Sequence, residues 1–516
     1  MVVNNRKSQR GAMPGLAVAA GLALCASLPG RADAQVNKNW VTIVVAAETD
    51  TVDPCMAPRA TAGTIVMRNI VETLTEKDPA SGEVKPLLAT SWKQMDDKTW
   101  RFTLRQGVSF HDGAPLNGET AATSINRSMN KALTCEVRVK TFSGISITAK
   151  AVGEHEVEIA ADKPVPIMPT MASAVTLQSP NTPAEFTLVP IGTGPYAFDK
   201  WNTGTDILLK RHDKYWGPKP AVEGARYIWR AESSVRAAMV KLGEADLAPN
   251  IAPNEATDPK LDRSYLNSET TYLRIDSLPP LNDRRVRLAL NYALDRYSML
   301  GSIMPKDALH ATQMVVPGVA GHNNELDKMV RPFDPAKAKA LLAEAKADGV
   351  AIDKQIILLV RPGLYINTNE QMEAIHGMYK AVGLNVKLQS IDGIQGRAYS
   401  TKPYPEDREP GLQQSTHDNN LGDPVFSMAF KYACDGPQSK MCSPELDKLI
   451  DAASATPSGP ERVKKWENIF KIVYEEHVPE VWFYHMVGYA RVNPRINFKP
   501  SLTTNNEISL KSITFN

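Results

Sequence analysis

Two charged residues sit where chemistry could be done. Arg361, in Arg361-Pro362-Gly363, directly follows an apolar run at residues 355–360. An arginine at the mouth of a buried strand can aim its planar fork into a cleft and grip a carboxylate through two parallel hydrogen bonds. The plainer reading is a side chain snorkelling along the surface at a strand end. Asp418 lies in Thr416-His417-Asp418-Asn419-Asn420-Leu421-Gly422-Asp423-Pro424, a run of turn-forming residues. Its carboxylate could receive an ammonium group, or could serve only an Asx-turn or a helix cap. His417 beside it offers an imidazole to a chelated metal or to a polar pocket wall, but has no second histidine close in sequence.

The residues that could run a reaction are less well arranged. His111-Asp112 could be an acid–base pair, but no motif places a nucleophile near it, so a turn-capping role fits it better. Asp96-Asp97 are adjacent acids in a predicted turn and do not make a glycosidase pair. G-x-S-x-G and H-E-x-x-H are absent, and Gly194 is followed by Pro195-Tyr196 instead of the Lys-Ser/Thr of a phosphate loop. An exported hydrolase is therefore the weakest of the function classes weighed, and no catalytic residue is assigned.

The elements around these residues alternate between strand and helix. The stretch 92–112 reads as a hairpin, and residues 63–74 and 121–131 as helices. Gly192-Thr193-Gly194-Pro195-Tyr196 is a tight turn leading into paired strands at 196–201 and 207–210. A helix is expected over 284–295, capped by Asn282 or Asp283, with Arg284, Arg285 and Arg287 on a solvated face. Helix 336–347, strand 355–360, helix 370–382 and strand 384–389 form a β-α-β pattern and predict a mixed α/β lobe. Helices at 444–453 and 461–478 precede an aromatic-rich strand at 481–490.

At 516 residues the chain is too long for one simple core. Arg6, Lys7 and Arg10 precede an apolar segment at 16–28 and the small-x-small site Ala32-Asp33-Ala34, which predicts an export signal cleaved after Ala34. That leader carries Arg6, Lys7, Arg10 and Arg31 against Asp33, so its removal takes the formal charge from +2 to −1. A near-neutral chain gives no argument for nucleic acid or an anionic membrane surface. Of five cysteines, Cys25 leaves with the leader. The remaining four allow three disulfide connectivities in an oxidising compartment. Cys434 and Cys442 bracket a short polar loop and pair most naturally with each other, which leaves Cys55 for Cys135. Their spacing is not that of paired metal ligands.

Three segments together resemble a known family. They are G-T-G-P-Y at 192–196 with Tyr215-Trp216-Gly217, W-R-F-T-L-R-Q-G-V-S-F-H-D-G at 100–113, and the V-R-L-A-L-N-Y-A-L-D run at 286–295 after Asn282-Asp283. In these the chain is similar to the extracytoplasmic solute-binding proteins of the peptide/nickel/opine family, family 5, with the dipeptide-binding branch nearest. The resemblance implies an α/β, two-lobed periplasmic binding protein of the large peptide-binding type (class II), closing a cleft by a hinge. Implied boundaries are a leader at 1–34, a first lobe at 35–276 with an insert at about 76–190, a second lobe at 277–486 and a return at 487–516. The crossings are expected near 275–278 and 484–489. It implies a monomer without cofactor or catalysis, which hands a small solute to the permease of an ABC importer. Arg361 and Asp418 match the branch's carboxylate and ammonium ligands, which suits a zwitterion such as a di- or oligopeptide. Tyr365, His417 and the Gly192-Thr193-Gly194 turn are weaker candidates for the cleft wall. The family's D-N-G-D-P run is here D-N-N-L-G-D-P, Ser415 stands where a Trp is common, and His417 replaces a Gly. An opine, a nickel chelate or a small sugar is the alternative ligand.

Overall fold

The computed structural model describes residues 38–58, 60–420 and 422–516; the leader and its cleavage after Ala34 lie outside them. Two long strands organise the molecule. Asp262–Ile275 and Glu480–Val492 run antiparallel to each other through the middle of a single eleven-stranded sheet. On one side of them lie, in order outward, Leu247–Ile251, Trp40–Val45, Gly224–Trp229, Asp206–Arg211 and Tyr196–Asn202. On the other side lie Gly411–Asp418, Ile356–Val360 and Val386–Ser390. A short strand, Leu309–His310, also pairs with Glu480–Val492. Glu480–Val492 is mostly apolar and aromatic, and twelve of its thirteen residues are buried. A strand covered on both faces has no solvent side to carry alternating polar residues. All five residues of Ile356–Val360 are buried for the same reason, in parallel pairing with both neighbours.

The pairing of the two long strands changes partway along. Asp262–Leu266 pair with residues 487–491, and from Thr270 onward the partners are His485 and residues 480–482. The register slips between Leu266 and Thr270, where Ser268 has φ +67°. Extra residues in one strand bend it locally. From Glu269 on, the strand also pairs with Gly411–Asp418, so Ile275 is already inside the second half, opposite Leu412.

A separate antiparallel sheet has the order Ala89–Gln94, Thr99–Leu104, Glu156–Ala161, Ile147–Gly153 and carries the helix Gly118–Met129. Trp100, Phe102, Ile125 and Ile159 share its core. Cys55–Cys135 and Cys434–Cys442 are both bonded, as expected.

Three expected features differ. The helix placed at 63–74 is Ala60–Val66. It stops because Asn69 turns its side chain back, donating to Ile65 O and Ile508 O while accepting from Leu510 N–H. Arg68 takes φ +65° there. The helix expected over 284–295 is Arg284–Tyr292, capped by Asp283, with a second turn Arg296–Met299 capped by Asp295. Its arginines are not a merely solvated face. Arg284 donates to the carbonyls of Glu475 and Glu476, and Arg287 to that of His477, which satisfies the open end of the distant helical segment Pro460–Ile472 and Val473–His477.

Candidate functional site

The most conspicuous sequence motifs converge on one buried carboxylate. Glu72 accepts hydrogen bonds from Thr193 Oγ1 (3.0 Å), the Tyr215 hydroxyl (2.8 Å) and Trp216 Nε1 (2.8 Å). Burial pushes its carboxyl upward against these donors. The Gly192–Gly194 turn lies directly on the backbone of residues 69–71. A Cβ on Gly192 would come within 2.1 Å of Ile70 O, and one on Gly194 within 2.3 Å of Asn69 O. His111 completes the cradle. Its Nε2 donates to Gly194 O at 2.9 Å, and its Nδ1 faces Gly192 N–H at 3.4 Å. Burial pushes the imidazole down to about 4. Asp112 turns away to accept from Ser179 and Asn181. His111-Asp112 therefore braces a turn, and Gly192, Thr193 and Gly194 serve packing here.

Asp418 ends the strand Gly411–Asp418 opposite Glu269. Its carboxylate is 45 % exposed, with Lys140 Nζ at 3.7 Å and Asn420 N–H at 3.3 Å on its other oxygen. Glu269 is pushed upward by burial and by the Asp418 charge. The loop beyond is held firmly. Asp423 is buried, caps Val425 N–H and makes a two-pronged pair with Arg462 at 2.7 and 2.9 Å. Gly422 has φ +71°, and Lys77 Nζ donates to Asn420 O at 2.8 Å. Desolvation lowers Lys77 to about 8. Residues Lys77, Lys140, Ser268, Asn419 and Asn420 line one cavity with Arg68.

Arg361 follows Ile356–Val360, two positions past the ladder pair Leu359–Gln413 and so at the level of Ser415. At about 3.3 Å per residue, Asp418 is roughly 10 Å further along the neighbouring strand. The Arg361 N–H donates to Gln414 Oε1 at 3.2 Å, and its side chain packs so that a Cβ on Gly396 would meet Nε at 3.3 Å. Among the described residues Arg361 makes no ion pair. It lines a recess with Pro362, Gly363, Ser390 and Asp392, separate from the cavity beside Asp418. Tyr365 is drawn inward, its hydroxyl bonded to Gln371 and accepting from Gln414 Nε2 at 2.8 Å. His417 Nε2 lies 2.6 Å from Ser427 Oγ, and burial with Lys431 and Lys140 nearby pushes its imidazole well down.

Sequence reading missed a buried charged group behind Asp418. Lys431 Nζ donates to the Tyr272 hydroxyl at 2.9 Å and is lowered to about 7 by burial. Glu480, opposite Arg274 on the neighbouring strand, is raised to about 7 by burial. Lys431 ends a helix and Glu480 begins a strand, positions where a charge ordinarily reads as solvated.

With this geometry in hand, the relatives are informative. The family model "Bacterial extracellular solute-binding proteins, family 5 Middle" matches residues 83–437. The dipeptide-binding protein of Escherichia coli (strain K12) is 26% identical over 462 residues, 82% of this chain and 85% of that protein. Heme-binding protein A of Haemophilus influenzae is 23% identical, covering 86% of each. The structure of HbpA2 from Haemophilus parasuis superposes with a TM-score of 0.81 at 21% identity, over 93% of this chain and all of that one. A nickel ABC transporter structure from Bacillus halodurans gives 0.76 at 20% identity, over 92% of this chain and 99% of that one. The fold is that of the two-lobed periplasmic binding proteins, and this chain belongs to the bacterial extracellular solute-binding proteins of family 5.

Proposed function

We propose that this chain captures a small zwitterion of the di- or oligopeptide class and delivers it to the permease of an ABC importer, acting as a monomer exported by cleavage after Ala34. The carrying observation is the charge layout at the ends of two adjacent strands. Arg361 has no carboxylate partner among the described residues, and roughly 10 Å away Asp418 and Glu269 present an acidic pair with Lys140 beside it and Lys431 behind. Fixed opposite charges at that spacing select a molecule with a cation at one end and an anion at the other, while water can fill the space around its side chains. Relatives named as dipeptide- and di/tripeptide-binding proteins support the peptide class. Closure about the bend at residues 267–270 and the facing strand near His485 would cover both charges, which travel together on paired strands beyond that bend. Tyr365 and His417 then act as supports behind the site.

Native mass spectrometry of the mature chain, before and after denaturation, tests this. A released peptide mass, with calorimetric binding lost in Arg361→Ala and Asp418→Asn, is the expected result. A released opine or metal chelate overturns the peptide class. A ligand returned chemically altered overturns the reading as a binding protein.

A further inference from the structure

Two strands across from His417, two histidines and a carboxylate face one another. One ligand atom from each of His322, Asp327 and His485 lies within 4.8 Å of the others. His485 is 1% exposed and sits on Glu480–Val492 opposite Thr270, where the long strands change register. Its Nδ1 bonds Thr270 Oγ1 at 2.9 Å, and its Nε2 is fully buried without a hydrogen-bond partner. His322 is 7% exposed; its Nδ1 bonds Val315 O at 2.9 Å, and its Nε2 lies 2.8 Å from Asp327 Oδ2. The two rings meet edge-on, with centroids 5.9 Å apart.

We propose that His322, Asp327 and His485 form a divalent transition-metal site of the zinc class, resident at the crossing of the two long strands. Three features carry this. Each histidine anchors Nδ1 on an oxygen, which fixes ring orientation and leaves Nε2 as the inward atom, the usual support of a metal-bound imidazole. With Nδ1 committed to a carbonyl, His322 Nε2 already converges on Asp327 Oδ2 at 2.8 Å, as two ligand atoms of one ion would. Finally, the unpartnered buried Nε2 of His485 is costly as it stands and would gain a partner.

Two imidazoles and one carboxylate suit zinc, nickel or cobalt better than calcium or magnesium, which prefer oxygen. A tetrahedral ion with bonds of about 2.0–2.1 Å sets its ligand atoms about 3.4 Å apart, within reach of small side-chain rotations here. His322 also lines a cavity with Gly321, Asn324 and Arg462, and the Asp327 side chain is 35% exposed, so two of the three ligands lie near solvent. Gln313 holds the loop in shape, donating to Asn323 O and accepting from Asn323 N–H. A bound ion would tie that loop to the strand crossing.

The test is a titration of chelator-treated mature protein with zinc sulfate alone, followed by calorimetry and thermal melting. One equivalent should bind and raise Tm, with His485→Gln and Asp327→Asn each weakening binding by more than about tenfold and His417→Gln leaving it intact. Cobalt in place of zinc should develop visible absorption bands that Asp327→Asn removes. If His485→Gln does not fold, the more exposed Asp327 decides alone. No zinc binding by the unmodified chain, or undiminished binding in Asp327→Asn, would overturn the site and leave a metal-free His322–Asp327 pair. Neither result bears on the peptide reading, which is judged at Arg361 and Asp418.

Discussion

The cradle around Glu72 and the lip around Asp418 are both built on carboxylates, and they are finished to different degrees. Glu72 is buried with three side-chain donors on it, on a turn whose glycines leave no room for a Cβ. Asp418 is nearly half exposed, with one distant lysine and one long backbone contact. A buried carboxylate left short of donors would destabilise the fold, so its partners must be supplied by the chain itself. A part-exposed carboxylate can stay under-partnered because water serves it, and on the proposed reading a ligand replaces that water. The motifs at 100–113, 192–196 and 215–217 belong to the first kind of site. They say how the scaffold is held and nothing about what is bound.

The hardest test of that contrast is Gly194→Ala. Its Cβ would be driven against the Asn69 carbonyl, with backbone on both sides and no flexible side chain to give way. Stability should fall by about 4–5 kcal/mol, in the range of severe core defects, as read by urea unfolding. A near-unchanged midpoint would mean the cradle is soft and the contrast false. Next comes Arg361→Ala. It should cost about 3 kcal/mol of affinity for a zwitterionic peptide in calorimetry while the unfolding midpoint hardly moves, since the guanidinium makes no ion pair among the described residues. Lost stability with intact affinity would make Arg361 a packing residue.

Acid should affect the cradle through His111. Its imidazole is depressed from an ordinary 6.5 to about 4 when folded. Between those values the unfolded chain holds the proton and the folded chain does not, so stability rises with pH across that window. The contribution is complete above about pH 6.5 and is lost as pH falls toward 4. His111→Gln should therefore show a shallower fall in Tm between pH 7 and 4.5 than the unmodified protein. An identical slope would show that other groups carry the acid sensitivity.

How much of this was legible in the sequence divides along the same line. The strand at 355–360, the cap at Asp283, the turn at 192–196 and the Cys434–Cys442 bridge could be read because local chemistry dictates them, and the Cys55–Cys135 bridge follows as the remaining pair. The helix expected at 63–74 failed at Asn69, whose partners include Ile508 and Leu510, more than four hundred residues away. Local periodicity cannot contain such a contact. Arg361 and Asp418 were visible as charges beside turn residues, but what surrounds them was not: Lys77, Lys140 and Arg462 come from distant segments. The same holds for Lys431 and Glu480, which look solvated in sequence, whereas tertiary packing half-buries Lys431 and buries Glu480.

The smallest predicted effect is the most specific to the lip. Lys140 Nζ lies 3.7 Å from Asp418 Oδ2, and both side chains are partly exposed, at 35% and 45%. Such a pair contributes about 0.2–1 kcal/mol, so Lys140→Met should leave the unfolding midpoint almost unchanged. Its effect on binding should have the opposite sign to that of Arg361→Ala. If a ligand ammonium occupies Asp418 it must displace the lysine, and removing that competitor should tighten binding by a few-fold, within the same range. The gain should vanish in an Asp418→Asn background, because a double-mutant cycle retains only the shared term, and it should shrink at high salt as the charges are screened. A ligand that binds equally well with and without Lys140, in both backgrounds, does not put a cation on Asp418. The under-partnered carboxylate would then be surface, and the lip would lie elsewhere on the cleft.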